Sequence, residues 1–133
     1  MYVSRRKANQ RKVLNEDQVT EKLKAGGYYI AELEKLPWAE QVNIFRHCRK
    51  LVAVHGAGLS NALFMPRGSA MIEIYPKSRG DEPGTNPCYQ TLCGDLGHHH
   101  VYLFAAREKP DSKPDFHSDN MVVDLAGLDA LVR

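Results

Sequence analysis

Leu51-Val52-Ala53-Val54-His55-Gly56-Ala57-Gly58-Leu59-Ser60-Asn61 is the stretch that decides the fold. Leu51 to Val54 form a compact apolar run, as expected of a strand covered on both faces. The run enters a His-Gly-Ala-Gly turn directly, and a short helix is expected to follow through Phe64. In open α/β sheets, ligands sit outside the carboxyl ends of the strands. A glycine there permits a sharp turn and close backbone approach, and amides at the start of a following helix favour anionic oxygens.

Working outward, apolar runs alternate with helical periodicity on both sides of this segment. Tyr2-Val3 reads as the stub of a first strand. Asn15 to Ala25 reads as a helix with Asn15 as cap, Gln18 at the capping-box position, Glu16 and Asp17 at its positive end, and Gly26-Gly27 as stop. Tyr28 to Leu33 reads as a strand, and Pro37 as the first residue of a helix with Trp38, Val42, Phe45 and Arg49 near one face. Trp38, Tyr28 and Tyr29 are assigned to the core.

Downstream, Pro66-Arg67-Gly68 makes a turn, Ala70 to Tyr75 a strand, Tyr89 to Leu96 a helix and Val101 to Phe104 a further strand. Met121 to Val123 closes the set, with Asp124 capping a helix through Leu131. Lys77 to Pro87 and Glu108 to Asp119 read as loops. The expected fold is α/β: a doubly wound, mostly parallel sheet of about 5–6 strands with helices on both faces, in one domain over residues 1–133.

Composition narrows the function classes. With 43% apolar and 26% charged residues, the chain has an ordinary globular balance, and its 133 residues suffice for a core without disulfides or metal. A formal charge of +2, with basic residues dispersed apart from Ser4-Arg5-Arg6-Lys7 and Arg11-Lys12, argues against a nucleic-acid partner. No apolar run is long enough to span a membrane. Cys48, Cys88 and Cys93 form no CxxC pair, which argues against a zinc ribbon or a redox motif and leaves the redox compartment open. In His98-His99-His100, neighbouring side chains of an extended segment alternate faces, so the three are assigned to a solvated turn rather than a metal.

The chemistry-bearing candidates gather around the expected strand ends. Arg5 and Arg11 flank the end of the first strand and offer forked, permanently charged donors suited to a diphosphate. His55 offers a donor to an anion from the tip of its strand, followed by Gly56, Ala57, Gly58, Leu59 and Asn61. Glu73, near the carboxyl end of its strand, can accept hydrogen bonds from ribose or sugar hydroxyls. The turn lacks the GxGxxG spacing and the Gly-Lys-Ser/Thr of a P-loop, and no Gly-x-Ser-x-Gly elbow supports a lipase-type oxyanion turn.

Taken in order, Ser4-Arg5, Arg11, Leu14-Asn15-Glu16, Gln41-Val42, Phe45, His55 to Asn61, Phe64-Met65-Pro66, Gly68 and Ile72 to Pro76 resemble the C-terminal region of family 61 glycosyltransferases, over roughly residues 1 to 105. Residues 106–133 match weakly. The resemblance implies the donor-binding, Rossmann-like half of a GT-B enzyme. It further implies inverting, metal-independent transfer from a nucleotide sugar, usually a UDP-sugar, with no cofactor. Arg5, Arg11, the His55 to Asn61 turn and Glu73 match the donor-side motifs. A glycan or glycoprotein acceptor, and the catalytic base, would belong to an N-terminal domain, so no base is assigned here. An exposed apolar face is expected where that domain packs. A non-catalytic nucleotide-binding module is the alternative. Localisation would be the secretory-pathway lumen for a eukaryotic member and the cytoplasm for a bacterial one.

Overall fold

The computed structural model describes residues 1–77, 85–111, 115 and 117–133. Positions 78–84, 112–114 and 116, which fall within the two expected loops Lys77 to Pro87 and Glu108 to Asp119, lie outside the described residues. Six strands form one sheet: β1 (Tyr2–Val3), β2 (Ile30–Ala31), β3 (Lys50–Val54), β4 (Ala70–Pro76), β5 (His99–Arg107) and β6 (Met121–Val122), in the order β2-β1-β3-β4-β5-β6. β1 to β5 run parallel, and β6 pairs antiparallel with β5, setting Ala106 opposite Val122. The mostly parallel α/β sheet expected from the sequence is therefore present.

Helices α1 (Glu16–Ala25) and α4 (Leu125–Val132) cover one face over Tyr2, Val52, Val54, Ile72, Ile74, Leu103 and Ala105. Helices α2 (Trp38–Arg46) and α3 (Cys88–Leu96), with a 3-10 segment Ala57–Phe64, cover the other over Val3, Leu51, Ala53 and Met71. β3 explains itself: Leu51 and Ala53 feed one core, Val52 and Val54 the other, so an unbroken apolar run is what two-sided burial requires. Because β1 lies between β2 and β3, the chain leaves it first to one side and then crosses to the other. The crevice between the carboxyl ends of β1 and β3 is the topological switch point of the sheet.

Several local expectations are corrected. Asn15 precedes α1 but does not cap it with its side chain. Its amide instead donates to Val123 O at 2.9 Å and accepts from Val123 N–H at 2.9 Å, stitching the start of α1 to the tail. β2 shrinks to two residues because Leu33–Lys35 winds into a 3-10 turn. Pro37 lies one residue ahead of α2, and on that helix Phe45 is fully buried whereas Trp38 is 62% exposed. A helix joining two parallel strands begins beyond their carboxyl edge, and the first turn of α2 carries Trp38 past the core. Tyr29 is likewise exposed and Tyr28 only half-buried. β5 begins at His99, so His99 and His100 lie in a strand rather than a turn, with His98 just ahead of it.

Asp124 caps α4 as expected, accepting from the amides of Ala126 at 3.1 Å and Gly127 at 3.0 Å. A Cβ on Gly127 would lie 2.9 Å from Asp124 Oδ2, so a larger residue there would displace the capping carboxylate. Removing the cap in Asp124→Ala is expected to cost about 1 kcal/mol. Thermal unfolding should show this as a Tm lower by about 4 °C, and an unchanged Tm would mean that the helix end is held by packing alone.

Candidate functional site

The loop leaving β1 is anchored from below. Glu16, buried at the start of α1, accepts from Tyr2 Oη at 3.0 Å and from the Arg5 amide at 2.8 Å. Arg5 then turns its guanidinium inward, donating from Nε to Arg11 O at 3.3 Å and from Nη2 to Gln10 O at 2.7 Å. Burial, followed by the charge of Arg11, lowers the pKa of Arg5 from its ordinary value. Much of the donor capacity of Arg5 thus shapes the loop that presents Arg11.

Arg11 crosses the switch point. Its Nη1 donates to His55 O at 2.7 Å, joining the β1 loop to the end of β3. A Cβ on Gly56 would sit 3.4 Å from the same Nη1, so the guanidinium lies directly against the turn. Among the described residues, Arg11 is the single non-glycine residue with positive φ, at 54°. Such a backbone persists where the surroundings over-determine it, and it is enriched at ligand sites. Arg11 Nε is buried without a partner among the described residues, a donor left for solvent or an anion.

The tail that matched the family weakly holds this loop in place. Leu14 N–H donates to Met121 O and Met121 N–H to Lys12 O, each at 2.8 Å. Lys12 N–H also reaches Asn120 Oδ1 at 3.0 Å. Together with the two Asn15 bonds, these make residues 120–123 a brace for Arg11, a role that no local pattern announces.

On the β3 side, His55 is oriented from beneath. Its Nδ1 donates to Glu73 Oε1, and His100 Nε2 donates to Glu73 Oε2 at 2.6 Å. Glu73 is wholly buried, so it touches no sugar directly; with both oxygens taken by histidines, it is a positioning residue. Burial pushes its pKa up, but the hydrogen bonds from His100 and His55 and their charges outweigh this and hold it below the ordinary carboxylate value. Tyr75 and Tyr89 flank the His55 ring edge to face, with centroids 4.9 and 5.3 Å away. With Nδ1 held, His55 Nε2 is the nitrogen left for a ligand.

His100 is the residue that sequence reasoning missed. Once β5 starts at His99, period-two alternation puts His100 and Tyr102 on the face of Met71, Glu73 and Tyr75, while His99 faces solvent. The signal was the buried acid on the neighbouring strand, which needed a partner.

The turn itself divides. Gly56, with φ 163°, is extended and needs no glycine-specific backbone, and its role is close approach to Arg11. Gly58 is held small by packing, since a Cβ would meet Leu33 Cδ1 at 3.3 Å. Leu59 N–H makes the first helical bond, to Gly56 O at 3.0 Å, so the amides of Ala57 and Gly58 lie ahead of the helical ladder. Leu59 is fully buried core, and Asn61 is buried with Nδ2 donating to Gln41 Oε1 at 3.2 Å, which ties this segment to α2. Of the candidates, Arg5, Arg11, His55, Gly56, Ala57 and Gly58 converge on the switch point; Leu59, Asn61 and Glu73 support it from within. Cys48 and Cys93 are buried and Cys88 exposed, all three free. Burial, then the charge of Glu73, pushes the Cys93 thiol up to about 11, so it is no nucleophile.

The sequence profile of Glycosyltransferase 61 matches residues 1–72. The chain belongs to that family. An EGF domain-specific O-linked N-acetylglucosamine transferase of Drosophila melanogaster is 39% identical over 94 residues, which cover 68% of this chain and 17% of the relative. A beta-1,2-xylosyltransferase of Oryza sativa subsp. japonica is 33% identical over 72 residues, covering 54% of this chain and 12% of the relative. A protein O-linked-mannose beta-1,4-N-acetylglucosaminyltransferase 2 of Canis lupus familiaris is 43% identical over 44 residues, covering 33% and 8%. The chain thus spans under a fifth of the length of these family members. The profile match contains Arg5, Arg11 and the His55 to Asn61 turn but stops just short of Glu73. Among the described residues, no helix is long and apolar enough to cross a membrane.

Proposed function

We propose that this chain forms the donor-binding part of a glycosyltransferase that transfers a sugar from a nucleotide donor, a UDP-sugar, with inversion and without a metal. The observation that carries the reading is the meeting of Arg11, the glycine turn and a carboxylate-held His55 at the sheet's switch point. During transfer, the bond from the anomeric carbon to the diphosphate oxygen breaks, and its electron pair leaves with the diphosphate. Arg11, the free Nε2 of His55, and the amides of Ala57 and Gly58 are the groups that meet this growing charge. Glu73 acts through His55, and His100 through Glu73. The acceptor, a glycan or glycoprotein, and the base that deprotonates it are assigned to protein outside this stretch.

Isothermal titration of the chain with UDP and a panel of UDP-sugars, without added metal, tests this. UDP should bind, and His55→Ala should weaken it about tenfold, the size of one charge-assisted hydrogen bond. Arg5→Ala should weaken it as well, through the loop that Arg5 shapes. Undiminished UDP affinity in the double variant would sink the site assignment.

A further inference from the structure

The carboxylate between two histidines leaves one charge unmatched. Glu73 is wholly buried and held below the ordinary carboxylate pKa, so it is ionised at neutral pH. One of its oxygens receives His55 Nδ1 and the other His100 Nε2. An ionised carboxylate only accepts, so both of these nitrogens carry their hydrogens. With the two rings neutral, the cluster keeps one net negative charge away from water, a state that hydrogen bonds soften without cancelling. One further proton turns it into an ion pair, and His55 Nε2 is where the cluster opens on the switch point.

We propose that a diphosphate binding at the switch point takes up one proton from solvent, carried on His55 Nε2. This rests on the donor-site reading above and adds to it the protonation state in which the site works. A neutral ring with its hydrogen on Nδ1 presents a lone pair at Nε2, which repels a phosphate oxygen instead of binding it. Turning the ring over would present an N–H, but at the cost of its bond to Glu73. Tyr75 and Tyr89 oppose that rotation, packing edge to face on the ring with centroids 4.9 and 5.3 Å away.

The surrounding charges make the anion the deciding partner. Glu73, on β4, favours an imidazolium at His55. Arg11, from the β1 loop, opposes one, because its Nη1 already lies 2.7 Å from the carbonyl oxygen of the same residue. A diphosphate neutralises Arg11 and so removes the opposition. Among the described residues, the other titratable neighbours stay out of this exchange. Burial pushes the phenols of Tyr75 and Tyr102 and the thiol of Cys88 up, and the Cys93 thiol up to about 11, so all four remain neutral near pH 8. His100, on β5, is the one competing place for the proton, and it lies beyond Glu73 rather than beside Arg11.

The test titrates the whole chain with UDP at pH 8 in two buffers of widely different ionisation enthalpy, because the difference in heat counts the protons exchanged. Uptake of roughly 0.5 to 1 proton per UDP is expected. UDP affinity should fall about tenfold from pH 7 to pH 9, the worth of one charge-assisted hydrogen bond. Over that interval the terminal phosphate of UDP is itself almost fully ionised, so the ligand does not supply the trend. His55→Gln offers an amide that does not titrate, and should abolish the uptake and flatten the pH profile. His100→Gln keeps a donor for Glu73 and should preserve both. UDP binding by the native chain without proton uptake, at an affinity that does not vary with pH, overturns the inference and leaves the donor site standing. The native chain alone reads this, so the test does not depend on any variant folding. Uptake that survives His55→Gln, or that vanishes in a folded His100→Gln, places the proton elsewhere and overturns the inference equally. Failure of the native chain to bind UDP at any pH overturns the donor site and the inference together.

Discussion

Glu73→Ala is expected to lower stability by about 3 kcal/mol, the cost of removing one partner from a buried, hydrogen-bonded polar cluster. The carboxylate has no solvent contact, and each oxygen receives a histidine. Alanine would leave His55 Nδ1 and His100 Nε2 as unpaired donors beneath Tyr75, Tyr89 and Tyr102, with a cavity between β4 and β5. Glu73→Gln keeps the shape and one acceptor, so its loss should be smaller, about 1 kcal/mol. Urea unfolding at neutral pH measures both, and equal stabilities for the three proteins would refute the positioning role.

The same carboxylate sets a pH dependence of definite sign. Its folded pKa lies below the ordinary 4.5, so the folded state takes up its proton less readily than the unfolded chain. Its contribution is therefore complete above the ordinary carboxylate value, and is lost as pH falls from there through the depressed folded value. Glu73→Gln has no such proton to bind and should lose this part of the acid slope.

The elements legible in the sequence were those whose signals are local. β3 and its turn follow from four adjacent apolar residues running into glycine, and α4 from Asp124 ahead of an apolar helix. What escaped reading depends on partners far along the chain. Asn15 looks like a helix cap because it stands before Glu16-Asp17, but its amide finds Val123, which only the antiparallel return of β6 brings near. His100 looks like solvated turn until β5 is extended back to His99, which pairing with β4 decides and hydropathy does not. Trp38 fits a core stripe by periodicity, and only the position of α2's first turn relative to the sheet edge exposes it. Glu73 was found as a site residue from strand position alone. Its role changed because both histidines lie closer to it than any ligand can.

Arg11→Ala is expected to cut UDP affinity about thirtyfold, equivalent to about 2 kcal/mol at 25 °C. A guanidinium facing a diphosphate makes charge-assisted bonds of that size when partly desolvated, and Arg11 already has a buried Nε with no partner among the described residues. Lysine at this position supplies a point charge without the fork, so Arg11→Lys should recover only part of the loss. The effect on folding separates from the effect on binding through Arg11→Gly. That substitution forfeits the bond to His55 O but relieves the left-handed backbone at φ 54°, two terms each of about 1 kcal/mol and of opposite sign. Its Tm should therefore stay close to that of the native chain while its UDP affinity falls as far as that of Arg11→Ala. The deficit should also shrink as ionic strength rises, because salt screens the native attraction and leaves the variants little to lose. If Arg11→Gly binds UDP as tightly as the native chain, Arg11 is a brace for the turn rather than a ligand for the diphosphate, and the charge of the leaving group must be met by His55 and the turn amides.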